Sequence, residues 1–273
     1  MIKVLLEAPI YTQSGYGEHS RLVYRSLVKN TNLDIYINPL NWGKTSWSAD
    51  LSKEEKKAVD ICVRKLGHVI EQQNSGIQTN FDLQVHVGIP NEFQKKGTYS
   101  VCVTAGIETD RVSDNWLSKT YQGLDKIIVP SEHAKLGFVG TAYEVINKEN
   151  NTKTLLECNC DVDVVPYPVK NTEIESMDFT LDTKFNFLMV GLLGVRKNIE
   201  KTIEWFLDEF ENEDVGLVVK TAISGGSNLD KRNTKLSLRR LMGNKKRKCK
   251  VYLLHGSLSE AQVHSLYKRE DIH

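Results

Sequence analysis

The sequence predicts an α/β protein: a mostly parallel sheet covered by helices, followed by a second, incomplete unit of the same kind. Three observations carry this. Short β-branched runs recur along the 273 residues with helix-patterned segments between them, the alternation that parallel strands require because each crossover needs a helix. A polar, aperiodic stretch from Pro168 to Lys184 interrupts the alternation. After it the pattern restarts but provides three strand-like runs, whereas a doubly wound domain generally takes five or six.

In chain order, the first strand-like runs are IKVLL at 2 to 6, LDIYI at 33 to 37, DLQVHV at 82 to 87, YSVCVT at 99 to 104, KIIVP at 126 to 130 and VDVVPYP at 162 to 168. Between the second and third, Ser52 and Glu55 are spaced as a capping box ahead of Ala58, Val59, Cys62, Val63, Leu66 and Ile70, which share a helical face. The expected division is a first domain over 1–170, a linker over 171–184 and a partial second domain over 185–273. There a strand at 185–191 precedes a helix at 198–211, whose Ile199, Ile203, Phe206, Leu207 and Phe210 fall at helical spacing. A strand VGLVVKT at 215–221, a basic helix near 234–242, a strand KVYLLHG at 250–256 and a helix from Ser259 follow.

Composition excludes several classes. Lys plus Arg number 36 and Asp plus Glu 35, so the formal charge of +1 implies no general attraction to polyanions. The distribution is uneven: ten basic residues and no acidic one lie between Lys231 and Lys250. Such a run is a solvated face or a grip on a phosphate backbone, and it contains no aromatic residue for base stacking. The five cysteines have neither zinc spacing nor a secreted disulfide pattern, and read as reduced thiols. The N-terminus has no signal-peptide pattern and no apolar run reaches membrane-span length, so the expectation is a soluble cytoplasmic protein.

Ligands of open α/β sheets bind beyond the carboxyl ends of the strands, where loops enter helices. Arg196 and Lys197 lie in such a loop, and Lys220 ends the next strand-like run. Cations at a positive helix N-terminus invite an anion, so these three are the expected phosphate-binding residues. After the first strand, SGYGEHSR places Gly15 and Gly17 where a backbone approaches a ligand closely, although Ser20 stands where a dinucleotide fingerprint has its third glycine. The D-x-D of Asp161 and Asp163 leads into a strand, which argues against a metal site. Ser131 reads as a helix N-cap and Trp116 as packing.

SGYGEHSR, GIETDRVSDNW ahead of LDKIIVPSEHAKLGF, FNFLMVGLLGVRKNIEKTIEWF and VYLLHGSLSEAQVHSLYKREDI form an ordered set over nearly the whole chain. It resembles the landmarks of family 4 glycosyltransferases of the GT-B fold. The resemblance implies two Rossmann-like domains facing a cleft. The second would hold mainly a nucleotide-sugar donor through Lys197, Arg196 and Lys220, with Gly15 and Gly17 lining the cleft. The first would hold mainly a glycan, protein or nucleic-acid acceptor. Transfer would retain anomeric configuration and need no metal or other cofactor. His86 matches a cleft-facing histidine of many relatives and, with Glu108, is a candidate for catalysis; Asp110 is a candidate for acceptor hydroxyls.

Two departures stand out. Leu192 occupies a position where the family commonly shows Arg, while Lys197 matches its Lys. The family's pair of donor-binding glutamates falls beyond His273, so the resemblance implies that further chain, or a partner chain, completes the second domain. Three alternatives stay open: a GT-B-like binding or assembly subunit without catalysis, a DNA-modifying glycosyltransferase that uses residues 231–250, and another nucleotide-binding enzyme. The last is disfavoured because no Tyr has a Lys four residues on, the usual epimerase and dehydrogenase signature.

Overall fold

The computed structural model describes residues 1–43, 45, 51–146, 151–169, 172–223 and 226–273. The chain divides into two compact units, Met1–Val169 and Lys170–His273. The expected start of the linker at residue 171 lies outside the described residues.

The first unit runs β1 (Ile2–Ala8), α1 (Gly15–Leu27), β2 (Leu33–Pro39), α2 (Lys53–Asn74), β3 (Phe81–Val87), β4 (Gly97–Val103), α3 (Asp114–Thr120), β5 (Lys126–Val129), α4 (Glu132–Val139), β6 (Tyr143–Ile146), β7 (Lys153–Leu156) and β8 (Asp161–Val164). Six strands form one parallel sheet in the order β2-β1-β3-β4-β5-β8, a Rossmann-like arrangement. The order steps outward from β1 to β2 and then returns past β1 to β3. That reversal makes the crevice between the loops after β1 and β3 the natural ligand position. All six strand-like runs are strands. The antiparallel pair β6 and β7 was not foreseen, because both are four-residue, largely exposed segments without an apolar run.

Alternating side chains build two layers. Val4, Leu6, Ala8, Val85, Val87, Val101 and Val103 pack with Tyr24 of α1, while Cys102, Ile127 and Val129 pack with Leu117 of α3 and Phe138 of α4. A charged group interrupts the core. Glu7 is 3% exposed and accepts from Lys96 Nζ at 2.6 Å, Asn38 Nδ2 at 2.9 Å and Gln84 Nε2 at 2.7 Å. Burial alone would raise its pKa, but these donors hold the carboxyl below the usual range.

Ser52 caps α2 by accepting from the Glu55 amide at 3.1 Å, while the Glu55 carboxylate turns to Arg25. Only half of the expected capping box forms. Val69 is buried and Ile70 is exposed, so the helix is rotated by one residue from the expected face at that end. Trp116 stacks on Phe138, and Ser131 caps α4. Asp163 pairs with Lys126 of the neighbouring strand at 2.6 Å, which places the D-x-D in the sheet's edge strand.

The second unit contains β9 (Phe185–Val190), α5 (Ile199–Glu209), β10 (Val215–Lys220), α6 (Asn228–Met242), β11 (Lys250–Leu254) and α7 (Glu260–Leu266), with its three strands parallel in the order β11-β10-β9. Ile199, Ile203, Phe206 and Leu207 of α5 are buried with Leu217, Val219 and Leu238, each contributing about 1.5–3 kcal/mol. α6 starts earlier than expected because Ser227 caps it, accepting from the Asp230 amide at 3.1 Å. Residues 172–184 belong to this unit: Glu175 accepts from Ser259 and Gln262, Arg269 lies over the Phe179 ring, and buried Thr183 bonds Tyr252. Along the outer side of β9, the His273 amide donates to Asn186 O at 2.8 Å. No described helix is long and apolar enough to cross a membrane, and the five cysteines are thiols.

Candidate functional site

At the carboxyl edge of the second sheet, backbone pairing continues past the strands. The Gly191 amide donates to Lys220 O at 3.0 Å, and Leu193 to Ala222 O at 2.9 Å. The loops carrying the expected cations are therefore laced together. After Leu193 the chain makes a 3-10 turn over Val195–Lys197 and enters α5 through Asn198 at φ 51°, a left-handed conformation that asparagine tolerates. This turn lays Lys197 over Gly191, where a Cβ would stand 3.5 Å from Lys197 Cγ. Lys220 ends β10, is half-buried, and has no carboxylate partner among the described residues. Burial pushes its pKa down. Arg196 is exposed in the same turn.

Helix capping sets this edge apart. Ser14, Ser52, Ser113, Ser131, Ser227 and Ser259 cap α1, α2, α3, α4, α6 and α7 with their side chains. Among the described residues, α5 alone takes no side-chain cap. Its first amides, with Lys197 in the turn before them and Lys220 on the next strand, thus face the same need for an anion. Thr221, next to Lys220, is fully buried with a hydroxyl that has no partner among the described residues.

Sequence reasoning missed Thr221, Asp230 and His255. Asp230 accepts from the Ile223 and Gly226 amides at 3.1 and 2.9 Å, and His255 Nε2 lies 3.3 Å from it, with both side chains under 5% exposed. This cluster fixes the loop after β10 onto the end of β11. A buried acid three residues inside a serine-capped helix was its only trace in the sequence. A groove of about 750 Å³ between β9 and α5, lined by Phe187, Met189, Trp205 and Phe210, contains none of these cations.

The first sheet's edge is built differently. Gly15 and Gly17 open α1, and Ser14 Oγ accepts from the Gly17 amide at 3.0 Å. A Cβ on Gly17 would stand 2.0 Å from Thr12 O, so the turn itself requires this glycine, whereas nothing lies within 4 Å of a Cβ on Gly15. Tyr16 Oη bonds Thr104 Oγ1 at 2.9 Å and accepts from the Ala105 amide at 3.1 Å, tying α1 to the end of β4. Arg21 donates to the Ile10 and Thr12 carbonyls at 2.9 and 3.0 Å, closing the turn from beneath.

His86 lies on β3 opposite Glu7, is 3% exposed, and has no partner for Nε2 among the described residues. A Cβ on Gly88 would come within 2.8 Å of that nitrogen. Burial pushes the imidazole pKa down, against the opposing pull of Glu7, so the ring is neutral near pH 7. Glu108 and Asp110 sit apart from this buried position, exposed on the loop after β4, with Asp110 3.7 Å from Arg111. A second histidine was missed. His19 of α1 is half-buried, packs edge-on against Tyr167 with centroids 4.9 Å apart, and leaves Nδ1 without a partner among the described residues. Its signal was its place in SGYGEHSR, one turn after Gly15.

Fold and edges together define a Rossmann-like α/β protein with candidate sites at the carboxyl ends of its parallel strands. No family model matches the chain, and no curated protein matches it.

Proposed function

We propose that the chain is a glycosyltransferase of the GT-B kind, moving a sugar from a nucleotide-sugar donor to an acceptor hydroxyl with retention and without a metal. One observation carries the reading. Lys197 and Lys220 have no carboxylate partner among the described residues; Lys197 lies over Gly191 in the turn that enters the uncapped α5, and Lys220 ends the adjacent strand and accepts from the Gly191 amide through its carbonyl. As the bond from the sugar's anomeric carbon to the phosphate oxygen breaks, its electron pair becomes charge on the departing diphosphate. Cations and amides fixed in advance stabilise that charge in the transition state. A half-buried ammonium such as Lys220 acts in a lower dielectric than water, where its charge counts for more.

Arg196 would add a third cation. In the first unit, the neutral imidazole of His86 suits a sugar hydroxyl, which needs a hydrogen-bond partner rather than a charge. Glu108 and Asp110, reachable from solvent, suit the hydroxyls of an acceptor. The acceptor oxygen forms the new bond to the anomeric carbon as its proton leaves toward the diphosphate or solvent.

A panel of nucleotide sugars assayed for nucleoside diphosphate release tests this. Lys197→Ala is expected to lower release by roughly 10²–10³-fold, the usual effect of removing one such stabilising group. Release that survives Lys197→Ala and Lys220→Ala unchanged would refute the assignment, and donor binding without release would make the chain a binding subunit.

A further inference from the structure

The basic run has a structure that the transferase reading leaves unused. Its first half is the outward face of α6. Lys231, Arg232, Lys235, Arg239 and Arg240 are all exposed, and none forms an ion pair among the described residues. The helix has one acid, Asp230, which points inward and is occupied by the Ile223 and Gly226 amides. Asp230, Thr234 and Leu238 are buried on the opposite face and hold the helix to the sheet. Farther on the run is partly neutralised: Lys245 pairs with Glu211 and Lys250 with Asp182.

Two leucines share the outward face. Leu229 is 67% exposed and Leu236 41% exposed, and they lie two helical turns apart on one stripe. Arg232 and Arg240 continue that stripe, with Lys235 and Arg239 along its side. The result is a rigid helix that presents apolar side chains within a field of uncompensated cations.

We propose that this face of α6 docks onto an anionic lipid bilayer. Lysine and arginine side chains reach the headgroup phosphates, while Leu229 and Leu236 enter the boundary between headgroups and acyl chains. The leucines decide between this and the nucleic-acid grip that the sequence allowed. A duplex would engage the cations but gain nothing from the leucines, and the segment has no aromatic residue to stack on bases. The proposal does not depend on the transferase reading.

The test is co-sedimentation of the full chain with phosphatidylcholine vesicles, with or without phosphatidylglycerol, alongside binding to duplex DNA. Two variants accompany it, Arg232→Gln/Lys235→Gln/Arg239→Gln and Leu229→Ser/Leu236→Ser. All five positions are exposed, so thermal melts should match the unaltered chain. The expected result is partition onto the phosphatidylglycerol vesicles alone. Each lost charge should weaken it about fivefold, on the order of a hundredfold for the triple variant. The leucine variant should lose roughly tenfold or more on vesicles and nothing on DNA. No partition at low salt would overturn the proposal. So would vesicle binding indifferent to the leucines with equal or tighter binding of DNA, which would reassign the face to nucleic acid.

Discussion

The carboxyl edges of the two sheets share a plan, parallel strands running into loops that open helices, yet they differ in charge. At the first edge the polar groups are largely answered from within: Ser14 caps α1, Tyr16 reaches Thr104, and Arg21 is spent on two carbonyls. What stays open there are imidazole nitrogens of His19 and His86. At the second edge, Lys197 and Lys220 are unpaired among the described residues and α5 is uncapped. Topology therefore places a crevice, while side chains decide whether it suits a neutral hydroxyl or an anion.

The comparison can be broken first through its buried charges. Lys96→Ala strips buried Glu7 of its cation and should cost about 2–3 kcal/mol, less than for a fully buried pair because Lys96 is solvent-exposed and Asn38 and Gln84 still donate to Glu7; the cost is read from urea unfolding at neutral pH. Because Glu7 titrates below its unfolded value, its contribution is complete above the ordinary carboxylate range and is lost as pH falls through the folded pKa. The gap between variant and unaltered chain should therefore close in acid; a gap independent of pH would mean that Glu7 is not the group affected. Gly17→Ala comes next, at about 1–3 kcal/mol, because its Cβ collides with Thr12 O. Gly15→Ala, with open space before it, should change stability by less than about 1 kcal/mol. Equal costs at the two glycines would refute this account of the turn.

Lys220→Met sharpens the contrast. Removing a half-buried, unpaired ammonium should leave stability unchanged or raised by about 1 kcal/mol, the opposite of Lys96→Ala, while diphosphate affinity falls at least roughly tenfold. In the unaltered chain that affinity should decline at a lower pH than an ordinary lysine would dictate, since the Lys220 pKa is depressed and the anion needs the charged form. The smallest effect is expected from His86→Leu, within about 1 kcal/mol, because no partner of Nε2 is lost. The unaltered chain should lose stability as pH falls below about 6.5, where the unfolded imidazole takes up a proton that the folded one resists. His86→Leu should lose less over that range, and two identical pH profiles would deny His86 that role.

Much of this was legible in the sequence because buried strands advertise themselves. Runs such as GLVV and IIV are apolar for their whole length, and the spacing of Ile199, Ile203, Phe206 and Leu207 allowed only a helix with one buried face. The cations were legible too, because a lysine after a buried strand can lie only at the sheet's edge. What escaped depended on contacts between distant residues. Nothing local announces that Asp230 meets His255, that Glu7 is held by Lys96, or that Thr12 fills the space before Gly17. β6 and β7 escaped because exposed strands carry no apolar signature.

The most direct test is a calorimetric titration of the full chain with a nucleoside diphosphate and, separately, with the uncharged nucleoside. A charged second edge predicts that the diphosphate binds, that the nucleoside does not bind over the same range, and that Lys197→Ala weakens the diphosphate at least roughly tenfold. Equal binding of the two ligands, or a diphosphate affinity indifferent to Lys197, would contradict it.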